Sequence, residues 1–152
     1  MRDVFNIHDA VTKGDPDDPD GYRSRGVRFG PTIGAEQLGA SIYDLDPGDS
    51  VCPYHYEHPE EEWLLVWAGT PTLRDPDGEH LLAPGDLVCF LEGPEGAHKV
   101  TNRTEQPVRI LMLSTKTKTA MAVYPDSNKV GIWPLGKFFR IDDAVDYWDR
   151  EL

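Results

Sequence analysis

Residues 48–69 read GDSVCPYHYEHPEEEWLLVWAG, and this stretch decides the fold. Its second half, from Glu62 to Ala68, is a short apolar run, and a glycine closes the stretch at each end. Short apolar runs between glycine and proline turns are typical of β-strands. Alternate side chains of a strand share a face, so Glu62, Leu64 and Val66 lie together. We therefore predict a strand whose inner face carries one carboxylate.

That carboxylate needs a partner, because burying an unpaired charge in an apolar interior is costly. His55 and Glu57 share one face of the extended segment before Glu62, whereas His58 points to the other face. Imidazole and carboxylate groups together suit a divalent first-row metal where no thiolate is offered. His98 is a further imidazole downstream. These residues are the candidate metal ligands.

Glycine and proline residues separate short apolar runs along the rest of the chain, which has 14 Gly and 13 Pro. Pro47-Gly48-Asp49 and Pro84-Gly85-Asp86 repeat one turn, and Pro followed by Gly favours type II turns. This pattern predicts an antiparallel all-β domain. We expect its strands at about 24–30, 39–46, 50–56, 62–68, 70–75, 79–83, 86–91, 97–102 and 107–115.

Charge and hydropathy exclude two classes of partner. Asp plus Glu number 27 against 15 for Lys plus Arg, a net charge of -12, which opposes binding to nucleic acid and to anionic lipid. No apolar run approaches the roughly 20 residues that span a bilayer, and the first five residues contain no segment of the secretory type. We expect a globular, cytoplasmic protein with no nucleic-acid or membrane partner.

The ligand candidates resemble the first motif of the cupin superfamily. That motif is a Gly, five residues, His-x-His, three or four residues, Glu, six residues and Gly. Here it is similar to Gly48, six residues, His55-Tyr56-Glu57, four residues, Glu62, six residues and Gly69.

The second cupin motif has a similar counterpart downstream. The family pattern is a Gly, five residues, Pro-x-Gly, two residues, His, three residues and Asn. This chain has Gly85, five residues, Leu91-Glu92-Gly93, four residues, His98, three residues and Asn102. Leu91 therefore replaces the motif Pro, and His98 arrives two residues late.

The resemblance implies a double-stranded β-helix, the jelly-roll or cupin barrel. The helical spacing of apolar residues separately predicts a short C-terminal helix over 141–148. It also implies one divalent transition metal, Fe, Mn, Zn or Ni, held by His55, Glu62 and His98. The fourth position falls on Glu57, where the family usually has a second His. Strand parity favours Glu57, and His58 is the alternative if the strand is bulged.

One cupin domain over residues 1–152 fits the length. We expect an N-terminal extension with an acidic loop over 1–38, a barrel core over about 39–115, and a C-terminal cover with the helix over 116–152. The tail either covers the barrel mouth or completes an outer sheet.

The expected function is a metal-dependent enzyme acting on a small organic substrate, with dioxygenase, isomerase and lyase chemistry all open. A metal-binding or small-molecule-binding and sensing protein without turnover is the alternative. Tyr54, Tyr56, Phe90 and Met112 are the candidate lining of an apolar substrate pocket.

A homodimer is also predicted, from the outer face of the strand 62–68. Trp63, Leu65 and Trp67 occupy the positions that a water-facing strand would fill with polar residues. The N-terminal strand near residues 27–29 and the terminal helix compete with a second subunit to cover this face.

Overall fold

The computed structural model describes residues 3–151 and confirms the all-β jelly-roll class. Its strands are β1 (Arg25–Arg28), β2 (Leu38–Leu45), β3 (Tyr56–His58), β4 (Glu62–Ala68), β5 (Thr72–Asp75), β6 (Gly78–Leu81), β7 (Leu87–Phe90), β8 (Lys99–Thr101), β9 (Val108–Thr115), β10 (Met121–Tyr124), β11 (Lys129–Ile132) and β12 (Lys137–Arg140). Short 3-10 turns lie at Ile7–Asp9, Gly30–Ile33, Pro94–Gly96, Pro125–Ser127, Trp133–Leu135 and Ile141–Asp143. No helix within residues 3–151 has the length and apolarity to cross a membrane.

Three antiparallel sheets build the barrel, in the orders β1-β2-β9-β4-β7, β6-β5-β8 and β12-β11-β10-β3. An isolated bridge pairs His55 with His98. The His98 amide donates to the His55 carbonyl at 2.8 Å, and the His55 amide donates in return at 3.1 Å. This backbone pairing places the two histidine motifs directly opposite each other.

The predicted alternation in β4 is confirmed. Leu64 and Val66 are 0% and 1% exposed, whereas Trp63 and Trp67 on the other face are 40% and 37% exposed. The core they join is apolar and lies between the sheets. Its other buried members are Leu45, Leu73, Leu82, Phe90, Val100, Val108 and Ile110.

The two repeated turns have the expected geometry. The Asp49 amide donates to the Asp46 carbonyl, and the Asp86 amide donates to the Ala83 carbonyl, each at 3.0 Å. Gly48 and Gly85 have φ values of 89° and 94°, which only glycine adopts without strain.

Cross-strand register sets the inner face of the five-stranded sheet. Gly39 pairs with Ser114, which pairs in turn with Glu62 at the start of β4. The adjacent row runs from Arg28 through Ser41 and Met112 to Leu64. Members of both rows share the face of Glu62, because paired residues and residues two apart point to the same side.

The tail differs from the expected helical cover. Strands β10 to β12 extend a sheet from β3, which is the outer-sheet alternative. The helix predicted over 141–148 is reduced to the 3-10 turn Ile141–Asp143, and Val145 and Trp148 are 72% and 69% exposed. Three aspartates in this segment favour turns over helix, and so short a helix is marginal without a surface to pack on.

Candidate metal centre

Three side chains from the two motifs converge at one end of the barrel interior. His55 directly precedes β3, Glu62 begins β4, and His98 directly precedes β8. Oε2 of Glu62 lies 3.4 Å from Nε2 of His98 and 3.8 Å from Nε2 of His55. One ligand atom from each residue falls within 4.8 Å of the others, which is the spacing that a single metal ion requires.

Backbone carbonyls fix both imidazole tautomers. Nδ1 of His55 lies 3.0 Å from the Pro53 carbonyl oxygen, and Nδ1 of His98 lies 2.9 Å from that of Gly96. A carbonyl oxygen only accepts, so each Nδ1 carries the proton. Each neutral ring therefore presents the lone pair of Nε2 toward Glu62, as a metal-binding histidine does.

Burial sets the charges of this group. It lowers the pKa of His98 to about 3, with His55 adding to the effect, and it also lowers the pKa of His55. Burial raises the pKa of Glu62 to about 7, and the nearby Glu60 raises it further. At neutral pH both imidazoles are uncharged, so their contacts with Glu62 are not ion pairs.

One oxygen of the group lacks a partner. Oε2 of Glu62 is buried and accepts no hydrogen bond from residues 3–151. It faces two imidazole lone pairs, and a buried acceptor without a donor is destabilising. A cation among the three atoms satisfies all of them. Two imidazoles and one carboxylate fit a divalent transition metal, which matches the donor set of the sequence prediction.

Aromatic rings hold the two histidines in place. The Phe90 ring stacks on His98 with a centroid distance of 3.7 Å and an interplanar angle of 8°. Tyr124 of β10 stacks on His55 at 5.8 Å and 21°. The tail sheet therefore contributes directly to the position of a candidate ligand.

Glu57 and His58 lie on different sides of their strand. Glu57 lines the same cavity as the three-residue group but is not a member of it. Burial raises the pKa of Glu57 to about 8, with Glu62 and Glu60 adding to the effect. His58 lies outside the cavity lining, with Nδ1 3.7 Å from a carboxylate oxygen of Glu92. A fourth ligand from either residue stays a prediction.

A cavity of about 560 Å³ opens beside the candidate ligands. Of the four predicted pocket residues, Met112 lines it. Phe90 lies against His98, and Tyr56 packs edge-on against His58 with a centroid distance of 5.7 Å. Tyr54 is buried beneath the Arg74 guanidinium, 3.9 Å from its ring centroid. These three are not among the lining residues.

Several lining residues were not predicted, among them Tyr43, Cys52 and Tyr124. Burial raises the pKa of all three, so the phenols and the thiol keep their protons. Tyr43 shares the inner face of its strand with Ser41 and Gly39, and period-two alternation was the available signal. Alternation alone does not tell which of the two faces is the inner one.

Comparisons with known proteins agree with this architecture. The family model described as Cupin domain matches residues 41–114. A sugar phosphate isomerase of a cupin superfamily from Silicibacter pomeroyi DSS-3 has a TM-score of 0.79 and 26% identity, over 97% of this chain and 98% of that chain. No curated protein sequence matches the chain.

Two more solved structures share the fold at lower identity. One, from Acidithiobacillus ferrooxidans ATCC 23270, is provisionally named a sugar phosphate isomerase; its TM-score is 0.76 at 24% identity, over 83% of this chain and 81% of that chain. The other is the polyketide cyclase RemF from Streptomyces resistomycificus, with a TM-score of 0.62 at 19% identity, over 76% of this chain and 80% of that chain.

We predict that His98→Ala lowers the metal content of the purified protein from near one equivalent to about a tenth of that or less, because only two ligands of the group remain. Elemental analysis after dialysis measures this content. His80→Ala is the matched control, since His80 lies on β6 beside Asp75 and outside the cavity lining, and it should retain the metal. Unchanged metal content in the His98 variant would contradict the assignment.

Metal affinity should also depend on pH through Glu62. Its carboxyl must lose a proton before it ligates, and its pKa without metal is about 7. Affinity should therefore rise about tenfold per pH unit up to pH 7 and level off above it. Burial lowers the pKa of both imidazoles, so they contribute less to this pH dependence than Glu62 does. Calorimetry at pH 6 in buffers of different ionisation enthalpy should show about one proton released per metal. A release of two would add Glu57, whose pKa burial raises to about 8, to the groups that lose a proton when the metal binds.

Proposed function

Because the chain belongs to the cupin superfamily, we propose that it is a metal-dependent enzyme that acts on a small organic substrate. His55, Glu62 and His98 would hold the metal. The observation that carries the proposal is the buried, unpartnered oxygen of Glu62 opposite two neutral imidazoles. The adjoining cavity of about 560 Å³ has the size of a small-molecule site.

Isomerisation of a sugar-like hydroxycarbonyl compound is the reaction class we propose. The bound metal supplies a Lewis acid for a substrate oxygen. Moving a carbonyl to the neighbouring carbon also requires a group that takes a proton from one carbon and returns it to the next. Glu57 lines the cavity outside the three-residue group and is placed to do this. The Silicibacter pomeroyi relative is named a sugar phosphate isomerase, and its similarity covers 97% of this chain. That name supports this reaction class.

Tyr43 is the second residue to which this proposal gives a role, after Glu57. Its phenol lines the cavity and keeps its proton because burial raises its pKa. A protonated phenol donates a hydrogen bond to a substrate oxygen, which orients the carbonyl and the hydroxyl that exchange places.

The proposal is tested by elemental analysis followed by a proton-exchange screen. The metal-loaded protein is incubated in D₂O with aldoses, ketoses and their phosphate and carboxylate derivatives. Deuterium in a carbon position next to the carbonyl, seen by NMR, supports the isomerase. One equivalent of metal without exchange or conversion of any compound would favour the binding and sensing alternative.

Glu57→Gln separates proton transfer from metal binding. The amide keeps the shape of the side chain but exchanges no proton, so we expect deuterium incorporation to fall at least about a hundredfold while the metal content stays near one equivalent. Glu92→Gln, at an exposed carboxylate beside His58, is the matched control and should leave both unchanged. A parallel loss of metal in the Glu57 variant would make this residue a ligand instead.

We also propose that two copies pair through the outer face of β4 and β7. The N-terminal segment packs on Leu111 and Leu113 of the same sheet, but Trp63 and Trp67 remain 40% and 37% exposed. Leu87 on the adjacent edge strand is 56% exposed. Burying such a contiguous apolar patch favours association.

Sedimentation at micromolar concentration should therefore give a mass near twice 17.1 kDa. Trp63→Arg should shift the mass toward the monomer, because it places a charge in the proposed interface. Trp148→Arg, at an exposed tryptophan of the tail, should not. A monomer with no concentration dependence would overturn the pairing.

A further inference from the structure

Two cations line the cavity without a partner. Arg28 on β1 and Lys116 just after β9 both belong to the lining, and neither forms an ion pair with any of residues 3–151. Both are exposed, so they lie where the cavity meets solvent. A ligand that enters from solvent therefore meets them first.

Unpaired arginines are uncommon in this chain. Six of the eight arginines within residues 3–151 form ion pairs with carboxylates, and Arg28 and Arg140 do not. Acidic residues outnumber basic ones by 27 to 15, so carboxylate partners are abundant. Arg28 is the member of the unpaired set that faces the cavity.

Two serines line the cavity with these cations, and a glycine lies beside one of them. Ser41 is the cross-strand partner of Arg28, and Ser114 is that of Gly39. A Cβ atom on Gly39 would lie 2.5 Å from Oγ of Ser114 and 3.7 Å from Cγ of Lys116. The missing side chain thus leaves room for the Ser114 hydroxyl and the Lys116 stem beside one another.

The cavity lining carries charges of both signs. Glu57 and Glu62 line it beside the candidate histidine ligands, and Glu60 accepts a hydrogen bond from the Thr117 amide, next to Lys116, at 2.7 Å. An anionic group is therefore repelled from the carboxylates and attracted to Arg28 and Lys116.

We propose that Arg28 and Lys116, with the hydroxyls of Ser41 and Ser114, form a subsite that binds the anionic group of the substrate. The proposal rests on the proposed function for the identity of that substrate, a hydroxycarbonyl compound with a phosphate or carboxylate group. The guanidinium fork suits paired anionic oxygens, and the ammonium and hydroxyls complete a donor set for a tetrahedral or planar anion.

Calorimetric titration with inorganic phosphate at constant ionic strength tests the subsite apart from turnover. Arg28→Gln combined with Lys116→Gln should weaken phosphate binding to the metal-loaded protein at least tenfold. Arg140→Gln combined with Lys118→Gln removes two exposed positive charges from outside the cavity lining and should leave the affinity within twofold. Equal weakening of phosphate binding in both double variants would mean that net charge alone explains the effect, and it would overturn the proposal.

The His98→Ala variant separates this subsite from the metal. Phosphate binding that persists in His98→Ala supports an anion subsite even if the enzyme proposal fails. Binding that is lost in His98→Ala but kept in the Arg28 and Lys116 double variant would place the phosphate on the metal and overturn the subsite. A parallel titration with acetate distinguishes the sources: tighter phosphate binding assigns a phosphate ester, and tighter acetate binding assigns a carboxylic acid. No binding of either anion at tens of millimolar would also overturn it.

Discussion

A carboxylate oxygen buried opposite two imidazole lone pairs is the constraint around which the barrel is organised. Nothing within residues 3–151 donates a hydrogen bond to Oε2 of Glu62, yet the surrounding structure holds it there. Reciprocal backbone bonds pair His55 with His98, and carbonyl oxygens two residues before each histidine fix its tautomer. Without a cation, burial favours the protonated carboxyl and raises its pKa, and the nearby Glu60 adds to the effect.

The same arrangement links stability to metal binding. Because burial makes the charged form of Glu62 costly, a metal bound to its carboxylate would offset that cost and stabilise the folded protein. The rings stacked on the histidines come from distant parts of the chain, Phe90 from β7 and Tyr124 from β10. The sheet of β7 and the sheet of β10 therefore each position one candidate ligand, and a shift of either sheet would move the histidine that its ring contacts.

Local rules explain which features the sequence predicts well. Period-two alternation places Leu64 inside and Trp63 outside, and the Pro-Gly pairs determine the turns at Gly48 and Gly85 through backbone angles alone. The same alternation separates Glu57 from His58, which lie on different sides in the structure. Each of these features depends on a few consecutive residues and needs no knowledge of the partner strands.

Features that depend on strand register or on tertiary contacts are harder to predict from the sequence. Phe90 is close in sequence to no ligand, and its stacking on His98 depends on how β7 meets the loop before β8. Tyr54 and Tyr56 flank His55 in sequence, but in an extended chain their side chains point away from its face.

Arg28 lines the cavity because β1 pairs with β2 in one particular register. The sequence between the two strands does not predict that register. Arg28 and Leu64 lie in one row of the five-stranded sheet, three strand spacings apart, or about 14 Å at the usual spacing between strands. Ser114, two residues before Lys116, is instead the direct cross-strand partner of Glu62. The sheet thus fixes the distance from Arg28 to the strand that carries Glu62, and this distance limits the length of a molecule that can contact both.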